Sequence, residues 1–264
     1  MDDAGNKSFT AWEKKVDGFI VYEHTRTSNK GGGLAICVLK DLNPAFIRDG
    51  GEVAEALTVN IHLKNITISC NTAYGPQESA PIQKKNEFWS YLQEECERAR
   101  NEGKGFLLQG DLNAWLGPHI LESDTKPQNL NGKMLVKFVE NNCLTIVNCL
   151  PICQGTKTWS KTRLGMKLTS TIDFFIVCEN ILPFVQEMMI DSDDRTIINF
   201  RKGKTTIKAD HAPMWLKLNL KILPEKPEKV VVLNYKNKAG SWITHLKYQN
   251  LLIAYKVIYL PDRR

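Results

Sequence analysis

Three short stretches carry residues with which this chain could do chemistry. In the first, a short apolar run at residues 106–108, bounded by Gly103 and Gly105, leads into Gly110-Asp111-Leu112-Asn113. Asp111 and Asn113 lie two apart, so on extended backbone their carboxylate and carboxamide project to the same side, at the rim of a sheet where ligand sites tend to lie. Alone, Gly-Asp-x-Asn reads as a strand ending in an Asx turn, and only distant partners can outweigh that reading. In the second stretch, Asp173 stands between Ile172 and Phe174-Phe175. An acid inside an apolar strand is costly unless it is paired. The third stretch, Asp210-His211, offers the partner, because a carboxylate bonded to an imidazole fixes its tautomer and raises its basicity. His211 alone reads as a surface or satisfied histidine; the three stretches together read as a polar site.

The elements that must position these residues can be read from hydrophobic pattern and turn residues. Strands are expected at residues 18–22, 34–39, 53–63 and 66–73, the last two joined at Lys64-Asn65, with Tyr74 left at a strand tip by Gly75-Pro76. Phe88, Leu92 and Cys96 recur at helical spacing within an amphipathic helix over residues 81–100, and a second helix is expected over 132–142. Further strands are expected at 144–148, 156–160, 170–177 and 214–220. Residues 161–167 read as a basic turn-like loop, 191–194 as an acidic loop and 201–204 as a basic one. Many strands, few helices and polar residues at strand ends imply sheets packed on each other with helices outside.

With 264 residues, 42% of them hydrophobic, the chain can build a large core. Its net charge is +6, of which residues 222–264 hold +5, leaving the body at +1. Any contact of that body with a polyanion must therefore use local clusters. No stretch approaches the roughly 18 apolar residues of a membrane span, and the start lacks the pattern of a signal peptide, which implies an intracellular protein that is not secreted. Seven cysteines with no C-x-x-C suit buried free thiols of a reducing compartment. His24, His62, His119 and His245 have no metal-ligand spacing, and Trp89, Trp159 and Trp215 read as core residues. Trp115 suits either packing or a ligand contact.

The ordered series Tyr74-Gly75-Pro76, Gly110-Asp111-Leu112-Asn113, Thr158-Trp159, Ser170-x-Ile172-Asp173 and Asp210-His211 resembles the endonuclease/exonuclease/phosphatase superfamily. Within it, the series is most similar to the apurinic-type endonuclease domain of non-LTR retrotransposons. The likeness runs over about residues 18–220, and residues 230–237 resemble the connector that leads from such domains to a reverse transcriptase. The expected organisation is a loose arm at 1–17, the domain at 18–221 and a basic connector at 222–264.

The resemblance implies a DNase I-like fold, a four-layer α/β sandwich of two packed mixed β-sheets flanked by helices. It implies DNA as partner, a reverse transcriptase in cis in a full-length element, nuclear action, and no small-molecule cofactor or membrane. The implied reaction is Mg²⁺-dependent phosphodiester hydrolysis leaving a 3′-hydroxyl, with Mn²⁺ as a substitute ion. Asp111 would activate or orient the attacking water, and Asn113 and Tyr74 would hold the scissile phosphate. His211, oriented by Asp173, would stabilise developing charge, and Asp210 would complete the site beside the metal or the histidine. Thr158 and Ser170 would line the substrate site, while Lys161, Arg163 and Lys167, on the loop before Asp173, would clamp phosphates. The family's metal-binding glutamate, upstream of the Gly-rich turn at residues 26–33, is not found: Glu13 and Glu23 lack its context, and Glu23 reads as a strand-end surface charge. The expectation is a domain lacking its first segment. Other readings are a phosphatase or lipid phosphodiesterase of the same fold, and a remnant that binds DNA without cleaving it.

Overall fold

A computed structural model of the chain describes residues 18–25, 33–63, 66–191, 199–202, 205–208, 210–219, 231–232, 245–246 and 250–255. Alternation opens the described chain: β1 (Phe19–Thr25) and β2 (Gly33–Leu39) pair antiparallel, and Val21, Ile36 and Val38 turn inward. The strands β3 (Pro44–Asp49), β4 (Ala56–His62) and β5 (Thr67–Tyr74) follow as an antiparallel meander. Helix α1 (Ile82–Asn101) then carries the chain back so that β6 (Gly105–Asp111) lies parallel to β5. Helix α2 (Leu130–Asn141) and β7 (Leu144–Ile146) lead to the short β8 (Cys153–Gln154). Next come β9 (Trp159–Arg163), β10 (Met166–Ser170), β11 (Asp173–Cys178) and β12 (Val185–Ile190). The remaining strands are β13 (Asn199–Lys202), β14 (Thr205–Lys208), β15 (Met214–Asn219), β16 (Val231–Val232), β17 (His245–Leu246) and β18 (Asn250–Tyr255).

Two mixed sheets result, a six-stranded one ordered β3-β4-β5-β6-β11-β7 and a four-stranded one ordered β18-β15-β12-β8. The central strand β6 is buried at all seven positions, which is why its sequence shows no polar alternation. Leu108, Phe106, Phe174 and Ile176 face one core with Phe88 and Leu92 of α1 and Leu135 and Phe138 of α2. Leu107, Phe175 and Val177 face the other core, with Ile36, Met188, Met214 and Leu216 from β2, β12 and β15. The six-stranded sheet thus lies between the helices and the second layer of strands, the order of a DNase I-like α+β sandwich. No described helix is long and apolar enough to cross a membrane.

Several expectations change. Residues 161–167 are not a loop: they belong to a hairpin in which β9 pairs with β10, and only Leu164 and Gly165 separate the strands. The strand expected at 170–177 is two strands, parted at Thr171 and Ile172 where the backbone leaves β10 for the central sheet. The strand expected at 144–148 ends at Ile146 and tightens into a 3₁₀ turn. β3 and β12 have mixed burial that no clean pattern announced. Cys70 and Cys96 are buried, whereas Cys37, Cys143 and Cys149 are exposed. Glu23 lies within β1, half-buried and with Oε1 shielded from solvent, so it is not a strand-end surface charge. The expected arm at 1–17, most of the Gly-rich turn, the Lys64-Asn65 turn, residues 192–194 of the acidic loop and the 224–229 linker lie outside the described residues.

Candidate active site

Tyr74, Asp111 and Asp173 stand in register on three neighbouring strands at one end of the central sheet. Tyr74 pairs with Asp111 across β5 and β6, and Asp173 pairs with Asp111 across β6 and β11. With strands about 4.8 Å apart, this register sets the two carboxyl groups side by side. Close approach here demands glycine: at Gly110 (φ +153°) a Cβ would stand 1.9 Å from the Ala73 carbonyl oxygen.

His211 reaches the row from another part of the chain. Residues 210–212 lace onto the start of β9: Trp159 bridges to His211, Ser160 N–H donates to the Asp210 carbonyl at 2.8 Å, and Ala212 N–H donates to the Thr158 carbonyl at 2.7 Å. His211 Nδ1 then lies 3.1 and 3.0 Å from the two Asp173 carboxylate oxygens, and Nε2 lies 3.7 Å from Asp111 Oδ2. Exposures of 2% for Asp111, 1% for Asp173 and 7% for His211 make this a desolvated cluster, where charges act strongly on one another. Burial, with the Asp173 charge beside it, pushes the Asp111 carboxyl up to about 8, against the opposing pull of His211 and the Asn113 N–H. For His211 burial favours the neutral ring, but the charge and hydrogen bond of Asp173, with Asp111 and Asp210, outweigh it and hold the imidazole up to about 9. Near neutral pH the cluster therefore contains an imidazolium and a carboxyl group able to exchange a proton.

Asn113 does not extend the strand as the i, i+2 argument expects. It turns into the left-handed region (φ +48°), with its N–H donating to Asp111 Oδ1 at 2.9 Å, the Asx turn of the local reading. Its carboxamide still comes to the site's edge, where Nδ2 donates to the Gly75 carbonyl at 2.8 Å. Asp210 is half-buried and accepts from Trp159 Nε1 at 3.3 Å. Tyr74 is half-buried, and Ser170 is buried opposite Trp159. Thr158, with 0% exposure, does not line a substrate surface: its Oγ1 accepts from the N–H groups of Ile172 and Asp173 at 3.0 and 3.1 Å, so it holds the backbone that aims Asp173. Lys161, Arg163 and Lys167 are exposed along the β9–β10 hairpin, whose first residue, Trp159, bridges to His211.

Sequence reasoning missed three asparagines that hold the site. Asn148 Nδ2 donates to the Asp173 carbonyl at 3.1 Å, and its Oδ1 accepts from Phe175 N–H at 3.0 Å. Asn129 caps α2 through Gly132 N–H at 2.7 Å and donates to the Asn113 carbonyl at 2.9 Å and to Glu78 Oε2 at 2.8 Å. Asn131 Nδ2 donates to the carbonyls of Pro76 at 2.6 Å and Asn113 at 3.2 Å, tying the Tyr74 turn to the Asp111 turn. Only Asn129, preceding an apolar helical pattern, carried a signal, that of an N-cap.

Among the described residues, Asp111, Asp173 and His211 are the one group whose ligand atoms lie within 4.8 Å of one another. Glu23 is not in it. Oxygen donors held in a buried cluster suit a small hard divalent cation that displaces their protons, with Asp111 the better placed carboxylate because both oxygens of Asp173 face the imidazole.

No family model matches the chain, and no curated protein matches it. Solved structures do. The endonuclease domain of TRAS1, a telomere-specific non-LTR retrotransposon, superposes with a TM-score of 0.51 at 19% identity, covering 75% of this chain and 79% of that one. The AP endonuclease LMAP from Leishmania major superposes at 0.56 with 13% identity over 75% and 69% of the two chains. The 3′-5′ exonuclease NExo from Neisseria meningitidis does so at 0.52 with 14% identity over 75% and 78%. The chain has the DNase I-like fold of these nucleases, with its buried Asp-Asp-His cluster at one end of the central sheet.

Proposed function

We propose that this chain is a divalent-metal-dependent phosphodiesterase that nicks DNA and leaves a 3′-hydroxyl. The observation that carries the reading is His211 held by Asp173 through Nδ1 with Nε2 turned toward Asp111. In the proposed reaction a water oxygen attacks phosphorus, the bond from phosphorus to the 3′ oxygen breaks, and that oxygen leaves as the hydroxyl after taking a proton from solvent. Asp111, in its ionised form, takes the proton of the attacking water, and the raised value of its carboxyl makes that form more abundant as pH rises toward 8. His211, cationic in the same range, stabilises charge on the phosphoryl oxygens, and Asp173 keeps its ring oriented. Tyr74 and the Asn113 carboxamide flank the phosphate, with Asp210 and Ser170 at the margin. Mg²⁺ held by Asp111, with Asp210 at the margin, would supply charge neutralisation and polarise the phosphoryl oxygen when bound, and Mn²⁺ would substitute.

Lys161, Arg163 and Lys167 would bind flanking phosphates. In this reading residues 18–221 are the catalytic domain, joined by the later strand β18 of the second sheet, the rest of 222–264 leads toward a reverse transcriptase in cis, and the action is nuclear. The test is nicking of supercoiled plasmid with Mg²⁺, with EDTA, and with Asp111→Ala and His211→Ala. Metal-dependent nicking lost in both variants supports the reading. A folded protein that binds plasmid but leaves it supercoiled refutes cleavage, and release of phosphate from a monoester in place of nicking would select the phosphatase alternative.

A further inference from the structure

The strand that carries Asp111 interrupts its apolar run with a second polar side chain for which the proposed reaction has no use. β6 is buried at every position, yet it holds Gln109, 5% exposed, two residues before Asp111. The side-chain Oε1 of Gln109 is shielded from solvent and has no hydrogen-bond partner among the described residues. A buried acceptor left unmet is costly, so folded proteins supply it with a donor, a water or an ion.

Register fixes where that oxygen belongs. Residues two apart on a strand share a face, so Gln109 and Asp111 look toward the second layer of strands, as Leu107 does. On that face the rows across β5, β6 and β11 run Tyr74-Asp111-Asp173, then Thr72-Gln109-Phe175, then Cys70-Leu107-Val177. Phe175 and the whole of the last row belong to the apolar core. The Gln109 carboxamide therefore stands between an apolar row on one side and the carboxylates of Asp111 and Asp173 on the other. Residues two apart on a strand are separated by about 7 Å. A glutamine and an aspartate side chain can close that gap from its two ends onto one ion, at metal–oxygen distances of about 2.0–2.6 Å. A water in the same place needs roughly two to four polar partners and finds them only on the carboxylate side, where a cation is held more strongly.

We infer that Gln109 Oε1 is an oxygen ligand of the divalent cation that Asp111 binds, reaching it from inside the sheet. This rests on the metal-dependent reading above and adds a neutral donor to it. An amide oxygen suits a hard cation such as Mg²⁺ or Mn²⁺ over a thiophilic one, and it adds no negative charge to a floor on which phosphate must sit.

The experiment is Mn²⁺ binding to the full chain at pH 8 without DNA, read from free Mn²⁺ by electron paramagnetic resonance, together with the shift that Mn²⁺ causes in the urea unfolding midpoint. Gln109→Met keeps the length and removes the oxygen, and it should weaken Mn²⁺ binding by about tenfold or more, the scale of losing even a group that only supports a metal ligand. Gln109→Glu places a charged oxygen at the same point. It should bind Mn²⁺ about tenfold more tightly and draw a larger midpoint shift from the ion, while unfolding more readily than wild type in EDTA. Wild-type Mn²⁺ affinity in Gln109→Met, or binding no tighter than wild type in Gln109→Glu, overturns the assignment and leaves Oε1 to a water. Should Gln109→Met not fold, Gln109→Asn keeps the amide but withdraws its oxygen by a methylene, and unchanged affinity there overturns the assignment equally. Plasmid nicking by a Gln109→Met protein of unchanged Mn²⁺ affinity keeps the hydrolysis and removes the ligand. Mn²⁺ binding that depends on Gln109 in a chain that does not nick overturns the hydrolysis and leaves the ligand standing.

Discussion

Replacing Asp111 by Asn should stabilise the metal-free protein increasingly as pH rises. The Asp111 carboxyl is pushed from its ordinary 3.8 up to about 8 by burial and by Asp173. Between those values the folded state keeps a proton that the unfolded chain has released, so stability falls as pH rises, by about 1.4 kcal/mol per pH unit for one proton. His211, raised from 6.5 to about 9, adds a term of the same sign: its contribution is complete below about 6.5 and disappears as pH passes 9. The Asn variant keeps an oxygen to accept the Asn113 N–H, so the Asx turn survives, but it has no proton to hold. The stability difference between variant and wild type should therefore be near zero at pH 4 and widen upward, by up to about 3 kcal/mol between pH 5 and 7. Urea unfolding in EDTA at unit steps from pH 4 to pH 8 measures it. Curves that run parallel over that range would refute the account of a strained, proton-retaining carboxyl, as would an Asn variant less stable at pH 8 than wild type.

Three other changes probe the support and the charge. Thr158→Val should cost about 1–3 kcal/mol, because two buried N–H groups at Ile172 and Asp173 lose their acceptor; Thr158→Ser should restore most of it, and equal unfolding midpoints for Val and Ser would reject the hydroxyl's role. Asn129→Ala removes the α2 cap and a tie to Asn113, so a loss of about 1–2 kcal/mol is expected together with increased amide exchange at Asn113, and exchange unchanged there would confine Asn129 to capping. Divalent-ion binding at the cluster must displace protons, so calorimetry should find tighter Mg²⁺ binding at pH 9 than at pH 6 with proton release into the buffer; affinity independent of pH would place the ion elsewhere.

Sequence made the components of the site legible but not the way they meet. Asp173 could be recognised because an acid among Ile172, Phe174 and Phe175 violates the pattern of its strand, and a violated pattern needs a physical reason. Gly110 was legible as a break, yet the reason only glycine fits, a Cβ 1.9 Å from the Ala73 carbonyl oxygen, belongs to a parallel pairing made across a helix. The local argument for Asn113 failed because it assumed extended backbone, while the Asp111 carboxylate draws the chain into a left-handed turn. Thr158 was misread for a related reason. A motif threonine can serve a site by contacting a ligand or by fixing backbone, and only its complete burial, with two N–H groups directed at Oγ1, distinguishes them. Asn131 and Asn148 gave no signal at all, since an asparagine whose partners are carbonyls tens of residues away resembles any other polar residue.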